Sequence, residues 1–341
     1  EAREPLPDTA GAPTVAPVWE PVGAQSGDEG PLVGFTASAS VTDAPATCLV
    51  FSLEDGAGSV PAGASITGCG VFTFTPTEAQ GPGVYSFDVV VTDDGTPNLE
   101  DREAITVTVN EVNTPPVLDP IGDRTIDEAA LLFFAATATD VDLPANGLTF
   151  TLEDGAGSVP AGASITAGGA FTFTPSEAQG PGVYTFDVVV TDDGTPNLED
   201  RETITVTVNE VNTAPVLGAV GAQSGDEETL IGFTATASDV DVPANSLMFS
   251  LEDGAGSVPA GASITVGGVF TWTPSEAQGP GVYSFDVVVT DDGTPNLEDR
   301  ETITVTVNEA DTAPVLDPVG PQSGDEGTLI GFTATATDAD V

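Results

Sequence analysis

Carboxylates recur along this chain at one fixed interval, and any chemistry it performs must come from them. An Asp-Glu pair stands at Asp28-Glu29, Asp127-Glu128, Asp226-Glu227 and Asp325-Glu326, each 99 residues after the last. The same interval separates Glu78, Glu177 and Glu276, and likewise Asp140, Asp239 and Asp338, Asp142, Asp241 and Asp340, and Asp192 and Asp291. Amides and further acids keep the spacing: Asn110, Glu111 and Asn113, then Asn209, Glu210 and Asn212, then Asn308 and Asp311. There is no histidine, and the five cations are arginines (Arg3, Arg102, Arg124, Arg201 and Arg300). Carboxylates gathered at ~4 Å would cost on the order of 1–4 kcal/mol per like-charged pair. An oxygen-only donor set answers that cost with a hard divalent cation of 6–8 ligands, Ca²⁺ rather than Zn²⁺. The competing reading is a hydrated acidic surface, in which aspartates shape turns through local hydrogen bonds.

Convergence of these groups depends on the elements that carry them. The period of 99 divides the 341 residues into a tail or linker (1–17), three repeats (18–116, 117–215 and 216–314) and the first two strands of a fourth (315–341). Each repeat has the size of one small domain, and short Pro-containing joints imply a linear array. Apolar residues alternate in YTFDVVVTD and RETITVTVN, β-branched types dominate, and Gly, Pro, Asn and Asp punctuate the runs. In the middle repeat this predicts about seven strands, A (119–127), B (131–139), C (148–153), D (163–166), E (169–174), F (182–191) and G (201–209). Seven short strands without helices make an all-β, Greek-key sandwich.

The loops of such a sandwich gather at two poles, with B–C and F–G sharing one. The inward stripe Leu132, Phe134, Ala136, Ala138 runs into Asp140 and Asp142, and the stripe Tyr184, Phe186, Val188, Val190 runs into Asp192. Glu128, Glu177, Asn209, Glu210 and Asn212 lie at the opposite pole. End-to-end stacking brings Glu29 and Glu78 to Asp140, Asp142 and Asp192, beside Asn110, Glu111 and Asn113. The next joint brings Glu128 and Glu177 to Asp239, Asp241 and Asp291, beside Asn209 and Asn212. The last sets Glu227, Glu276, Asn308 and Asp311 against Asp338 and Asp340.

A net charge of −49 excludes binding to phosphate backbones and anionic lipid. Hydrophobic residues at 40% suffice for cores, and no apolar run approaches the ~20 residues of a membrane span. No basic, apolar leader is in view at Glu1. Without histidine the Ser/His and Cys/His nucleophile systems are excluded. Paired carboxylates could hydrolyse glycosides, but pairs that recur in every repeat suit architecture better than a unique active site, so no enzyme is expected. The GxG of EDGAG (Glu54–Gly58) lacks a following lysine and reads as a turn.

The motifs ATDVD (Ala138–Asp142) and VVVTDDGTPNLEDRETITVTVNEVNTAPV, with the lone glutamate after strand A, resemble cadherin-type repeats. SVPAGASIT and FTFTPSEAQGPGVYTF are similar to bacterial Ig-like and dystroglycan-type cadherin-like modules. The resemblance covers the three full repeats and the start of the fourth. It implies calcium at the joints, stiff rods and adhesion at cell surfaces. Position by position, Glu128 resembles the strand-A glutamate, Glu177 the last glutamate of LDRE, Asp239 and Asp241 the DxD pair, and Asp291 the strand-F aspartate. The departures are Pro175, Asn212 and Thr213 at family acid or amide positions, and Val41 with Asp43 in the first repeat, so one or two ions per joint are expected.

Cys48 and Cys69 occur only in the first repeat, where both positions fall at one pole. A bridge is favoured over two free thiols, closing a loop of about 20 residues worth ~3 kcal/mol and implying an extracytoplasmic location. The expectation is a non-enzymatic, calcium-stiffened spacer or adhesive rod of a bacterial surface or secreted protein. Its partners would be other surface proteins or glycans, or itself. The alternatives are a glycan- or protein-recognition module binding multivalently, and a filament subunit exchanging the strands of 315–341.

Overall fold

The computed structural model describes residues 15–42, 48–338 and 340. Arg3, Asp43 and most of the expected tail lie outside them. Among the described residues of the first repeat, Val, Ile, Thr and Phe runs broken by Gly and Pro form nine strands. They are β1 (Val18–Glu20), β2 (Gln25–Asp28), β3 (Val33–Thr36), β4 (Ser38–Ser40), β5 (Val50–Glu54), β6 (Ser65–Ile66), β7 (Val71–Phe74), β8 (Gly83–Thr92) and β9 (Glu100–Asn110). A four-stranded sheet in the order β2-β9-β8-β5 faces a three-stranded sheet β3-β7-β6, and β1 pairs with β4. The same orders recur in the other two repeats, so the described residues are nearly all-β, in tandem two-sheet units.

The described residues fall into two compact units, the first made of those within 1–123, 133–173 and 184–205, the second of those within 124–132, 174–183 and 206–340. In the first unit Phe72, Phe87, Val89, Val91, Ile105 and Val107 are essentially inaccessible. Phe35 and Phe87 stack on the two sides of Phe72, with centroids 4.6 and 5.5 Å away. In the second unit Phe233, Phe270 and Phe285 repeat that stack at 4.6 and 5.7 Å, beside Trp272, Ile303 and Val305.

Strand A differs from the sequence expectation because it divides in every repeat. β1 runs antiparallel to β4, whereas β2 crosses to the other sheet and lies parallel to β9, with Asp28 opposite Asn110. Glycine at the break, Gly23, Gly122 or Gly221, takes φ of 74°, 71° or 68°, a conformation that a side chain would strain. Alternation on the long strand is also incomplete. Asp187 and Val189, expected outward, are buried as well, alongside Phe186 and Val188. The EDGAG turn folds over that outer face, and a β-carbon on Gly157 would stand 2.3 Å from the Thr185 carbonyl oxygen. The GxG is therefore a packing turn, as expected.

A single 3-10 turn carries each mid-repeat glutamate: Glu78–Gln80, Glu177–Gln179 and Glu276–Gln278. In the first, the Thr77 amide donates to Gln80 Oε1 at 3.0 Å, which locks the turn and fixes Glu78 at its start.

The expected bridge is not formed, since Cys48 and Cys69 are exposed free thiols. The loop is held otherwise: the Cys48 amide donates to Asp94 Oδ1 at 3.0 Å, and Gly147 and Ser246 make the same bond without any cysteine. In the last segment Val315–Leu316 pairs with Ala336–Thr337, and Leu329 is fully exposed.

Candidate cation centres at the repeat joints

The first joint lies wholly within the first unit. At the end of β2 the chain turns so that Glu29 donates its amide to the Asn110 carbonyl and buries its side chain. Glu29 Oε1 accepts from the Val112 amide at 3.0 Å, and Oε2 has no hydrogen-bond partner. A β-carbon on Gly81 would stand 2.1 Å from that oxygen, so only glycine leaves it room. Both carboxylate oxygens of Glu111 are buried without partners. Glu78 Oε1 accepts from the Leu143 amide of the middle repeat at 2.9 Å. One oxygen from each of Glu29, Glu78 and Glu111 lies within 4.8 Å of the others.

The middle repeat supplies the facing side. Asp142, 2% exposed, accepts from the Thr114 amide and hydroxyl and from Asn146 Nδ2 at 2.8 Å. Its own amide donates to Asp140 Oδ1 at 2.9 Å, leaving Asp140 Oδ2 buried and unpartnered. Asp192 Oδ1 accepts from the Gly194 and Leu198 amides, and Oδ2 accepts from Asn113 Nδ2 at 3.0 Å. Burial acts to raise Asp192, but the amides of Leu198, Asn113 and Gly194 outweigh it and hold the carboxyl below the usual range.

The second joint, within the second unit, repeats this geometry. Glu128, Glu177 and Glu210 converge as the first trio does. Glu128 Oε1 accepts from Val211 and Glu177 Oε1 from Val242, each at 3.0 Å, while Glu128 Oε2, Glu210 Oε2 and Asp239 Oδ2 are buried without partners. Asp241 accepts from Thr213 and Asn245, and Asp291 from Asn212 at 3.0 Å. The third joint gathers Glu227, Glu276 and Glu309, with Asp340 bonded to Thr312 and, through its amide, to Asp338. Glu227 is 1% exposed and its Oε2 is unpartnered.

Burial, then the charges of Glu29, Glu78 and Asp142, push Glu111 from an ordinary 4.5 to about 7. Burial likewise raises Glu78, partly offset by the Leu143 amide, and raises Glu128 and Glu210 in the second joint.

Two groups of expected ligands are placed differently. Asn110, Asn209 and Asn308 turn away and donate to Asp28, Asp127 and Asp226 at 3.0, 2.9 and 3.1 Å, because strand alternation puts their side chains on the exposed face. Only their carbonyls serve the site, by fixing Glu29, Glu128 and Glu227. Asn113 and Asn212 are used at both ends, donating to an aspartate and accepting from Asn146 or Asn245, so they clasp the joint by hydrogen bonds. Asp311 stands at the corresponding position in the third joint. The sequence sets Glu111 beside the first joint and Glu210 at the matching pole without making either a ligand, and Glu309 goes unnamed. Their signal was the alternation that exposes the preceding asparagine and turns the next side chain inward.

Buried carboxylate oxygens without hydrogen-bond donors are costly. An all-oxygen donor set with such orphans fits a hard divalent cation.

Residues 115–209 and 214–308 match the Putative Ig domain family, He_PIG. These spans exceed half of the chain, and the chain belongs to that family. Human Protocadherin Fat 1 is 24% identical over 262 residues, 71% of this chain but 6% of the relative's own length. The crystal structure of mouse Cadherin-23 EC22-24 aligns at 18% identity and a TM-score of 0.48, covering 86% of this chain and 99% of that one. Human CDH23 EC21-23 aligns at 20% identity and 0.49, covering 86% and 100%. No helix among the described residues is long and apolar enough to cross a membrane.

Proposed function

We propose that this chain is a non-enzymatic, extracellular repeat segment whose joints take up Ca²⁺ and stiffen, serving as spacer or adhesive part of a bacterial surface or secreted protein. Glu29, Glu78 and Glu111 would hold the ion at the first joint with Asp140 facing them. Glu128, Glu177, Glu210 and Asp239 are the second set. The ion supplies positive charge that lets the acids stay ionised at close range; the chain supplies their fixed placement. The observation that carries this reading is the recurrence of buried, unpartnered carboxylate oxygens at the same positions of successive joints. Other surface proteins or glycans, or a second copy, are the partners such a segment would present itself to. A second reading, repeated weak contacts with such a partner, draws on Val84, Val183 and Val282, which are 68%, 68% and 70% exposed at matching positions.

Calorimetric titration of the metal-stripped chain with Ca²⁺ tests the proposal. Saturable binding should weaken in Glu29→Gln and Glu111→Gln and persist in Asp55→Asn, a substitution in the exposed turn. Scattering with calcium and with chelator then reads stiffness. Absence of saturable binding, or equal loss in Asp55→Asn, would defeat the cation reading.

A further inference from the structure

Asn146 is the one asparagine in the sequence followed by glycine, and it is built into the first joint. Its side-chain amide donates to Asn113 Oδ1 at 2.7 Å and to Asp142 Oδ2 at 2.8 Å. The Gly147 amide donates to Asp193 Oδ1 at 2.6 Å. Asn113, in turn, donates to Asp192 and to the Pro196 carbonyl. Asn146 thus ties the exit of the first repeat to a loop of the second. At the next joint Asn245 makes the same pair of bonds, but Ser246 follows it.

We propose that Asn146-Gly147 is a self-modification site gated by the joint. The Gly147 peptide nitrogen attacks Cγ of Asn146, a new N–C bond forms, and the Cγ–Nδ2 bond breaks. Ammonia leaves with the proton that the attacking nitrogen gives up. Water then opens the cyclic imide at either carbonyl, leaving aspartate or isoaspartate at position 146. No oxidant or cofactor is required. Glycine favours this step because it has no β-carbon to crowd the attacking nitrogen, whereas Ser246 places one beside the equivalent atom.

The closed joint holds the reaction back. Two hydrogen bonds fix the Asn146 amide, and Asp193 occupies the nucleophile's N–H. Opening releases both. The product then carries a carboxylate where an amide had donated to Asp142 and Asn113. Those two bonds cannot re-form, and a new like charge faces Asp142, so the modified joint stays weakened. The change registers past opening, and at this joint rather than the next.

The test runs on the full chain in chelator, so it is independent of cation binding. Peptide mapping by mass spectrometry follows conversion at Asn146 and Asn245 in mildly alkaline buffer, for the wild type, Asn113→Ala and Asn146→Gln. Removal of the Asn113 clasp should speed conversion at Asn146 at least about tenfold, the equivalent of one good hydrogen bond to a polar partner. Asn146 should convert well ahead of Asn245, and Asn146→Gln should abolish conversion at that position. Equal rates in wild type and Asn113→Ala, or equal rates at Asn146 and Asn245, would overturn the proposal. Asn146→Asp, which imitates one product, should speed amide exchange at Thr114; exchange at the wild-type rate would show that the modification leaves the joint intact and would refute its lasting effect.

Discussion

Raising the pH should loosen the cation-free first joint, and Glu111 sets the size of the effect. Its carboxyl is held at about 7 against an ordinary 4.5, first by burial and then by the charges of Glu29, Glu78 and Asp142. The closed joint therefore binds this proton more tightly than the open chain does. The stabilisation is fully present below 4.5 and is lost as pH rises through about 7. That gap corresponds to at most about 3 kcal/mol, and solvent access at the rim scales it to about 1–2 kcal/mol. Glu78 shifts in the same direction and adds to the loss. Amide exchange at Thr114 and Leu143 reads the joint directly, because these amides donate to Asp142 and Glu78. With chelator present, and after correction for intrinsic exchange, their protection should fall by about 1–2 kcal/mol between about pH 5 and about pH 8. Glu111→Gln, which imitates the protonated acid, should remove most of that slope. If protection rises with pH, or if Glu111→Gln leaves the slope unchanged, the account of this joint is wrong.

Three other outcomes are expected. Asp291→Ala strips the acceptor from the Gly293 and Leu297 amides and from Asn212, and should cost about 2–4 kcal/mol in urea unfolding. Phe270→Ala, in the centre of an aromatic stack, should cost about 3–5 kcal/mol, while Phe133→Ala, 60% exposed, should stay within about 0.5 kcal/mol by the same measurement. Gly157→Ala drives a β-carbon against the Thr185 carbonyl and should lower the unfolding midpoint by the equivalent of about 1–3 kcal/mol.

Much of the architecture is legible in the sequence because burial and alternation are local signals. The runs YTFDVVVTD and RETITVTVN state their strands, and the interval of 99 by itself identifies equivalent residues. What period-2 reasoning misses is backbone geometry. The crossing of strand A between sheets depends on glycine at positive φ, and the burial of Asp187 depends on a turn contributed by residues 153–157. At the joints, sequence reasoning finds which acids gather, but a residue type does not reveal which oxygen already has a donor. Asp142 and Asp192 are saturated by amides and hydroxyls, whereas Glu29, Glu111 and Asp140 keep bare oxygens. Asn110 and Glu111 are neighbours, and one half-turn of the strand separates the exposed amide from the inward acid. The cysteines show a related limit: two rare residues in one repeat suggest a bond, yet both thiols are free and exposed, and the loop is anchored through the Cys48 amide as in the repeats without cysteine.

The parallel pairing of β2 with β9 has a mechanical consequence. These are the strands through which the chain passes into and out of the main sheet, and they point the same way. A pull on the two ends of a repeat slides one strand lengthwise past the other, so the rungs between them share the load at once. An antiparallel terminal pair would instead peel open rung by rung under the same tension. Each repeat therefore has the geometry of a shear clamp between its first and last main-sheet strands, and extension should meet more resistance than the thermodynamic stability of a four-residue strand would suggest.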